Sequence, residues 1–210
     1  MRTYPHPSSR CRCSVGFTLA MSALFVLAAW NLNRLCFYLS FPVLAIFFFY
    51  SFTKRFTSLS HLVLGFAIGS APLAAWIAIR GNLDWVPVLL SAAVMFWIAG
   101  FDVIYALQDT EFDREAKLFS LPARFGIPIA LHVSTLFHLF TVALLVATAT
   151  LTKSGPIAFV GIVVVGAILF WEHRIVKPND LSRVNVAFFN LNGYISILLL
   201  LTFATDIFTR

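Results

Sequence analysis

Apolar residues run along this chain in seven long blocks, each ended by a short polar or basic break. The blocks cover about Val15 to Trp30, Leu35 to Phe52, His61 to Ile79, Trp85 to Gln108, Ile127 to Leu151, Gly155 to Trp171 and Val184 to Phe208. Most are near the roughly 20 residues that cross a bilayer as a helix. The pattern predicts an all-α fold, a polytopic transmembrane helical bundle. Gly65 and Gly69, at GxxxG spacing in the third block, predict a surface that another helix approaches closely. Asn185, Asn190 and Asn192 interrupt the last block, and their amides require partners within the bundle or a wet cavity. Residues 1 to 13 are basic and carry Pro5 and Pro7, so they are expected to be irregular and exposed. No polar linker divides the apolar blocks, so the reading is a basic cytoplasmic N-terminal segment, 1–14, and one membrane domain, 15–210.

Composition agrees: 60% of residues are hydrophobic and 11% charged, with a mean hydropathy of +0.89, which excludes a soluble domain. The net charge of +6 is explained by loop placement and is no nucleic-acid signal. Lys and Arg outside the blocks alternate from break to break as three, one, two, one, three, one, three and one. By the positive-inside rule, the N-terminus, the Lys54-Arg55 break, the loop after Gln108 and the loop with Arg174, Lys177 and Arg183 share the cytoplasmic side. Cys11, Cys13 and Cys36 have no paired spacing and read as reduced. The N-terminal apolar run has the length of a span, not of a cleaved leader.

The candidate chemistry lies between Gly100 and Gly126, a stretch with five of the nine acidic residues: Asp102, Asp109, Glu111, Asp113 and Glu115. On a continuous α-helix, Asp109 and Asp113 fall about 20° to either side of Asp102, so the three share a stripe flanked by Tyr105, while Glu111 and Glu115 point elsewhere. Asp109 and Asp113, about 6 Å apart along the axis, are placed to converge on a divalent metal. A hard ion such as Mg²⁺ takes one or two carboxylates together with the phosphates of a substrate. The stretch therefore reads as a Mg²⁺-diphosphate site. A solvated, charged helix end is the competing reading and suits Glu111, Arg114 and Glu115. It suits Asp102 poorly, because an ionisable group near the middle of a span costs about 2.5 to 3.5 kcal/mol on insertion scales.

Lys54 and Arg55, at the end of the second block, and Arg124 are candidates to hold phosphate oxygens, with topological anchoring as the alternative. His61, His132, His138 and His173 do not recur at ligand spacing with carboxylates, so no His metal site is expected. Most of the 23 Phe face lipid or neighbouring helices. There is no Ser-His-Asp set, P-loop or dinucleotide fingerprint.

The run Asp102-Val-Ile-Tyr105-Ala-Leu-Gln-Asp109-Thr-Glu-Phe-Asp113, followed by Ser120-Leu-Pro-Ala-Arg-Phe-Gly126, resembles the second aspartate-rich motif of the UbiA superfamily of membrane prenyltransferases, in its 4-hydroxybenzoate polyprenyltransferase branch. Tyr50-Ser-Phe-Thr-Lys54-Arg55-Phe56 and Asn190-Leu-Asn192-Gly-Tyr-Ile are similar to further family segments, and the likeness extends from about Phe17 to Phe208. The resemblance implies about seven spans of a nine-span fold around a central cavity. It implies Asp109 and Asp113 as metal-diphosphate ligands with Mg²⁺, Asp102 and Tyr105 as catalytic residues, and Lys54, Arg55, Arg124 and Asn192 as substrate-binding residues. The implied partners are polyprenyl diphosphate, an aromatic acid and the lipid bilayer, with no nucleic acid. The implied reaction is prenyl transfer in ubiquinone or menaquinone biosynthesis at a bacterial inner membrane.

One departure stands out. The family's first aspartate-rich motif and first two spans have no counterpart, and the first acidic residue of the chain is Asp84. Lys117 also stands where relatives have a small residue. The resemblance therefore implies impaired transfer, with a non-catalytic relic or scaffold of the same fold as the alternative. A cation pathway is disfavoured because the carboxylates sit on one helix rather than on several facing ones.

Overall fold

The computed structural model describes the backbone of residues 7–209 and the side chains of residues 14–209. It consists of helices α1 (Pro7–Leu32), α2 (Arg34–Thr53), α3 (Ser60–Gly69), α4 (Ala71–Arg80), α5 (Trp85–Tyr105), α6 (Thr110–Glu115), α7 (Leu121–Phe125), α8 (Ile127–Leu151), α9 (Pro156–Ile175) and α10 (Asn192–Thr209). A 3₁₀ turn, Ala106–Asp109, joins α5 to α6, and a π-helical turn, Val186–Leu191, leads into α10. Apart from a bridge between Lys177 and Asp180, the described residues contain no strand.

The expectation of irregular chain up to residue 13 is corrected: α1 begins at Pro7. The first helical position suits proline, whose missing N–H would have had no partner there and whose fixed φ matches the helix. The rest of that expectation, at residues 1–6, lies outside the described residues, as do the side chains of Cys11 and Cys13.

Seven helical stretches are long and apolar enough to span a membrane, and they coincide with the seven apolar blocks within a few residues. The fold is therefore an all-helical, multi-pass bundle. Its third span is broken between α3 and α4 at Ser70. Breaking the ladder there leaves N-terminal amides of α4 without helical acceptors. One of them, Leu73 N–H, donates to Ser91 Oγ on α5 at 2.9 Å.

The centre of the bundle is α5, which packs against α3 on one side and α8 on the other. At the α3–α5 crossing a Cβ on Gly69 would lie 2.5 Å from Met95 N and 2.6 Å from its Cα, and one on Gly65 would strike Met95 O. The GxxxG pair thus has the close-approach role its spacing predicts. One apolar core cluster gathers Val103, Ile104, Leu107, Val176 and Ala187 beside the acidic stretch. A second gathers Ala93, Leu145, Ile162, Val165 and Ile195 farther along the bundle. Asp206 ties α10 to α9, accepting hydrogen bonds from Gly155 N (3.0 Å) and Ala158 N (3.3 Å) at the α9 N-terminus, where the helix dipole favours an anion.

Seven crossings put the loop around Lys117 and the end of the chain on opposite sides. A reporter inserted near Lys117 is expected to be cytoplasmic and one fused after Arg210 external. The reverse labelling would remove the sidedness read from the basic residues.

Candidate functional site

The acidic stretch is not one continuous helix. Over Ala106–Asp109 the chain tightens from α to 3₁₀ geometry, which advances each residue about 20° more than an α-helix would. The single carboxylate stripe is corrected accordingly: Asp109 is exposed, whereas Asp113, after the backbone resumes as α6, turns inward and is only 2% exposed.

What Asp113 meets is the basic corner after α2. Lys54 Nζ lies 3.5 Å from Asp113 Oδ2. The backbone repeats the link, since Phe119 N donates to Lys54 O at 2.7 Å and Leu118 N to Asp113 O at 2.8 Å. Arg114 Nε steadies the far side of the loop through Ala123 O at 3.1 Å. Between them Lys117 holds a left-handed φ of 54°, a conformation that a Cβ disfavours and glycine adopts freely. Arg55 lies over the Phe52 ring (5.4 Å), and Arg124 over Phe119 (5.8 Å) and Phe125 (5.4 Å). Both guanidinium groups are thus held by aromatic faces and not by the carboxylates. Of the three candidate cations, Lys54 alone is ion-paired to a carboxylate of the stretch among the described residues.

Asp102 has a partner that spacing within its own helix could not reveal. His61 Nδ1 on α3 is 2.6 Å from Asp102 Oδ2, with His61 only 1% exposed and its Nε2 free of any hydrogen-bond partner. A signal was present: His61, Gly65 and Gly69 stand at i, i+4 and i+8, one face of α3, so the histidine must face whatever the glycines touch. They touch α5.

Tyr105 stacks on Phe188 at 4.2 Å and meets Phe189 edge-on at 6.4 Å. Asn192, also buried, accepts from Trp97 Nε1 at 2.7 Å and donates to Ala187 O and Phe188 O, two carbonyls of the π turn. Its side chain thereby joins the last span to α5 and satisfies backbone groups that the π turn leaves open. Asn185 accepts from Gln108 Nε2 at 3.2 Å. Asn190 is exposed. A 640 Å³ hollow between the third span, α5 and α10 is walled by Pro72, Val94, Trp97, Phe101, Asn192 and Ser196.

Sequence reasoning also missed a second buried polar group, in which His138 Nδ1 is 3.0 Å from His173 Nε2 and 3.7 Å from Glu172 Oε2.

Among the described residues no three His, Cys, Asp or Glu side chains are grouped as a ready-made metal cage. The donors that are present, Asp109 and Asp113, are hard oxygen ligands. They fit an ion that takes one or two carboxylates and completes its shell from substrate phosphates.

The model of the UbiA prenyltransferase family matches residues 9–194. The 4-hydroxybenzoate octaprenyltransferase of Vibrio campbellii is 27% identical over 199 residues, 94% of this chain and 69% of the relative. That of Cronobacter sakazakii is 30% identical over 184 residues, 88% of this chain and 62% of the relative. The chain thus spans about two thirds of the length of these relatives. Among solved structures, a UbiA homolog from Aeropyrum pernix K1 superposes with a TM-score of 0.82 at 32% identity, covering 93% of this chain and 73% of that one. A digeranylgeranylglyceryl phosphate synthase structure shares the fold, with a TM-score of 0.77 at 17% identity over 100% of this chain and 75% of that one.

Proposed function

Because the chain belongs to the UbiA prenyltransferase family, we propose that the protein transfers a polyprenyl group from its diphosphate to an aromatic acid of the 4-hydroxybenzoate type, in quinone biosynthesis. The observation that carries this reading is the meeting of the basic corner with the acidic stretch at one end of the bundle, where Lys54 pairs with Asp113. A diphosphate arriving there finds an ammonium group to bind and two carboxylates, exposed Asp109 and the Lys54-paired Asp113, each of a kind able to share a metal with it. When bound, Mg²⁺ supplies Lewis-acid stabilisation of the departing diphosphate.

In the reaction the allylic C–O bond breaks and the diphosphate leaves. A ring carbon ortho to the phenol bonds to the allylic carbon, and that ring carbon gives up its proton. Lys54 neutralises part of the charge on the leaving group. Arg55 and Arg124, on the same end of the bundle, hold anionic substrate groups. The Asp102–His61 pair is a hydrogen-bonded acid-base couple poised to accept the ring proton, with His61 orienting the carboxylate as the imidazole of a dyad does. Trp97 and Asn192 wall the apolar hollow that takes the prenyl chain, and Tyr105, one turn beyond Phe101 on α5, packs on Phe188. The site end faces the cytoplasm of a bacterial inner membrane in this reading.

The test is to give membranes containing the protein Mg²⁺, a polyprenyl diphosphate and 4-hydroxybenzoate, and to measure diphosphate retention and prenylated product separately. Mg²⁺-dependent retention is expected, with product reduced against that of a relative that carries both aspartate-rich motifs, and both readouts falling in Asp109→Ala. Retention without product would identify a scaffold that kept the fold, and absence of both would end the reading.

A further inference from the structure

We propose that the outer seam between α8 and α9 is a binding site for one anionic glycerophospholipid, seated in the leaflet at the acidic-loop end of the bundle. The seam lies outside the candidate site and needs no part of the proposed reaction.

Two hollows form it. The deeper, of 240 Å³, is lined by Val142, Gly166 and Phe170, and the outer, of 250 Å³, by Pro128, His132 and Lys177; Thr135 and His173 belong to both, so the two are continuous. From Pro128 to Val142 the seam follows fourteen residues of α8, about 21 Å at helical rise. One leaflet of a bilayer core is about 15 Å deep, so the seam reaches from headgroup level to near the mid-plane.

Polarity changes along the seam in the order in which a phospholipid changes. Lys177 lines the outer hollow, Thr135 and His173 are shared, and the inner hollow is mostly apolar, with Arg174 at its α9 end and buried His138 at its back. These levels match phosphate, glycerol ester and acyl chain. Arg174, in the last turn of α9, lies over the Phe170 ring, 5.0 Å away. His173 is fixed by Thr135 Oγ1 at 3.3 Å and His138 Nδ1 at 3.0 Å. The deep half is open because position 166 has no side chain: a Cβ there would meet nothing closer than Val142 Cγ2 at 3.8 Å. Leu139 and Phe170 beside it are each 62% exposed, so no helix of the described chain covers the seam.

Charge selects the occupant. Arg174 at the end of α9 and Lys177 and Arg183 in the loop that follows are accompanied there by one exposed carboxylate, Asp180. Hydrogen bonds from the side chain and backbone of Ser182, helped by Arg183 and Lys177, hold that carboxyl below the usual range, so it is a fixed anion that offsets only one of the three cations. Glu172 is fully buried behind His138 and does not reach the rim. Basic pockets between spans at headgroup level recognise anionic lipids through such unbalanced cations.

The protein, purified in detergent, is given equal phosphatidylglycerol and phosphatidylcholine of identical acyl chains, and retained lipid is counted by native mass spectrometry. Wild type is expected to prefer phosphatidylglycerol, with the preference falling about fivefold for each of Arg174→Ala and Lys177→Ala. Arg80→Ala, at the other end of the bundle, should leave it unchanged. Gly166→Phe, checked for monodisperse elution, should lower retention of both lipids. Equal retention of the two lipids by wild type would overturn the proposal. So would an equal loss in Arg80→Ala, which would mean bulk charge, or cross-linking of Leu139→Cys to a second copy in the membrane, which would make the seam a protein interface.

Discussion

Asp113→Ala is expected to lower prenyl transfer by about 100-fold or more, the loss typical of removing one fixed electrostatic partner of a charged transition state. The physical case rests on where Asp113 sits. It is 2% exposed and 3.5 Å from Lys54, at the join between the basic corner and the acidic loop. Removing it withdraws a metal-ligand candidate and also unpairs Lys54, the residue proposed to meet the diphosphate. The folded state should change little by comparison, because Lys54 is about one-third exposed and a pair so placed is worth at most about 1 kcal/mol. The variant should therefore elute and melt like wild type while failing in turnover. Asp113→Asn keeps the shape and is expected to fail nearly as badly. Glu111→Ala, exposed and off the join, should retain most activity. If the Asp113 and Glu111 variants lose activity equally, the stretch acts through bulk charge and the site assignment is wrong. The prediction is sharpened by Lys54→Met: it should weaken diphosphate retention more than it slows the step after binding, because a cation that grips the ground state acts chiefly on affinity.

The two carboxylates differ in a way that the chain's own periodicity concealed. Counting 100° per residue from Asp102 puts all three aspartates on one stripe, and that count is valid only while the helix remains α. Four residues of 3₁₀ turn suffice to separate an exposed Asp109 from a buried Asp113. Nothing in Ala106-Leu-Gln-Asp109 announces the change, since none of these residues is a helix breaker. By contrast, all seven spans were legible, most to within a few residues, because hydropathy over about 20 residues averages away local irregularity. The meeting of Lys54 with the acidic loop was foreshadowed by the alternation of basic residues, which puts both at one end. The partners of buried polar groups were less accessible. His138, His173 and Glu172 come from two helices whose facing sides only the packing fixes, and Asp206 caps a helix that begins fifty residues before it. His61 is the intermediate case: its side of α3 could be read from Gly65 and Gly69, but the helix they contact could not.

That contact underlies the largest structural effect expected, which is for Gly69→Leu. A Cβ at position 69 would sit 2.5 Å from Met95 N and 2.6 Å from Met95 Cα, distances that real Cβ atoms do not show. Because these are backbone atoms of the central helix, no rotamer change relieves the clash, and α3 must move away from α5. Overpacking that forces backbone to shift costs about 1 to 3 kcal/mol or more, and the upper end applies where the obstacle is a helix backbone. Gly69→Leu is expected to give little monodisperse protein, and any folded fraction should melt well below wild type. The fraction that folds should also lose activity, because drawing α3 away parts His61 from Asp102, now 2.6 Å apart. Gly166→Ala is the matched control on a helix with room for a methyl group, and it should be neutral or slightly stabilising. A double variant, Gly69→Leu with Met95→Ala, decides the cause. Since Met95 N and Cα remain in alanine, trimming the side chain should not restore folding. Restored folding would place the obstruction in the methionine side chain, and the close backbone approach would no longer explain the glycine.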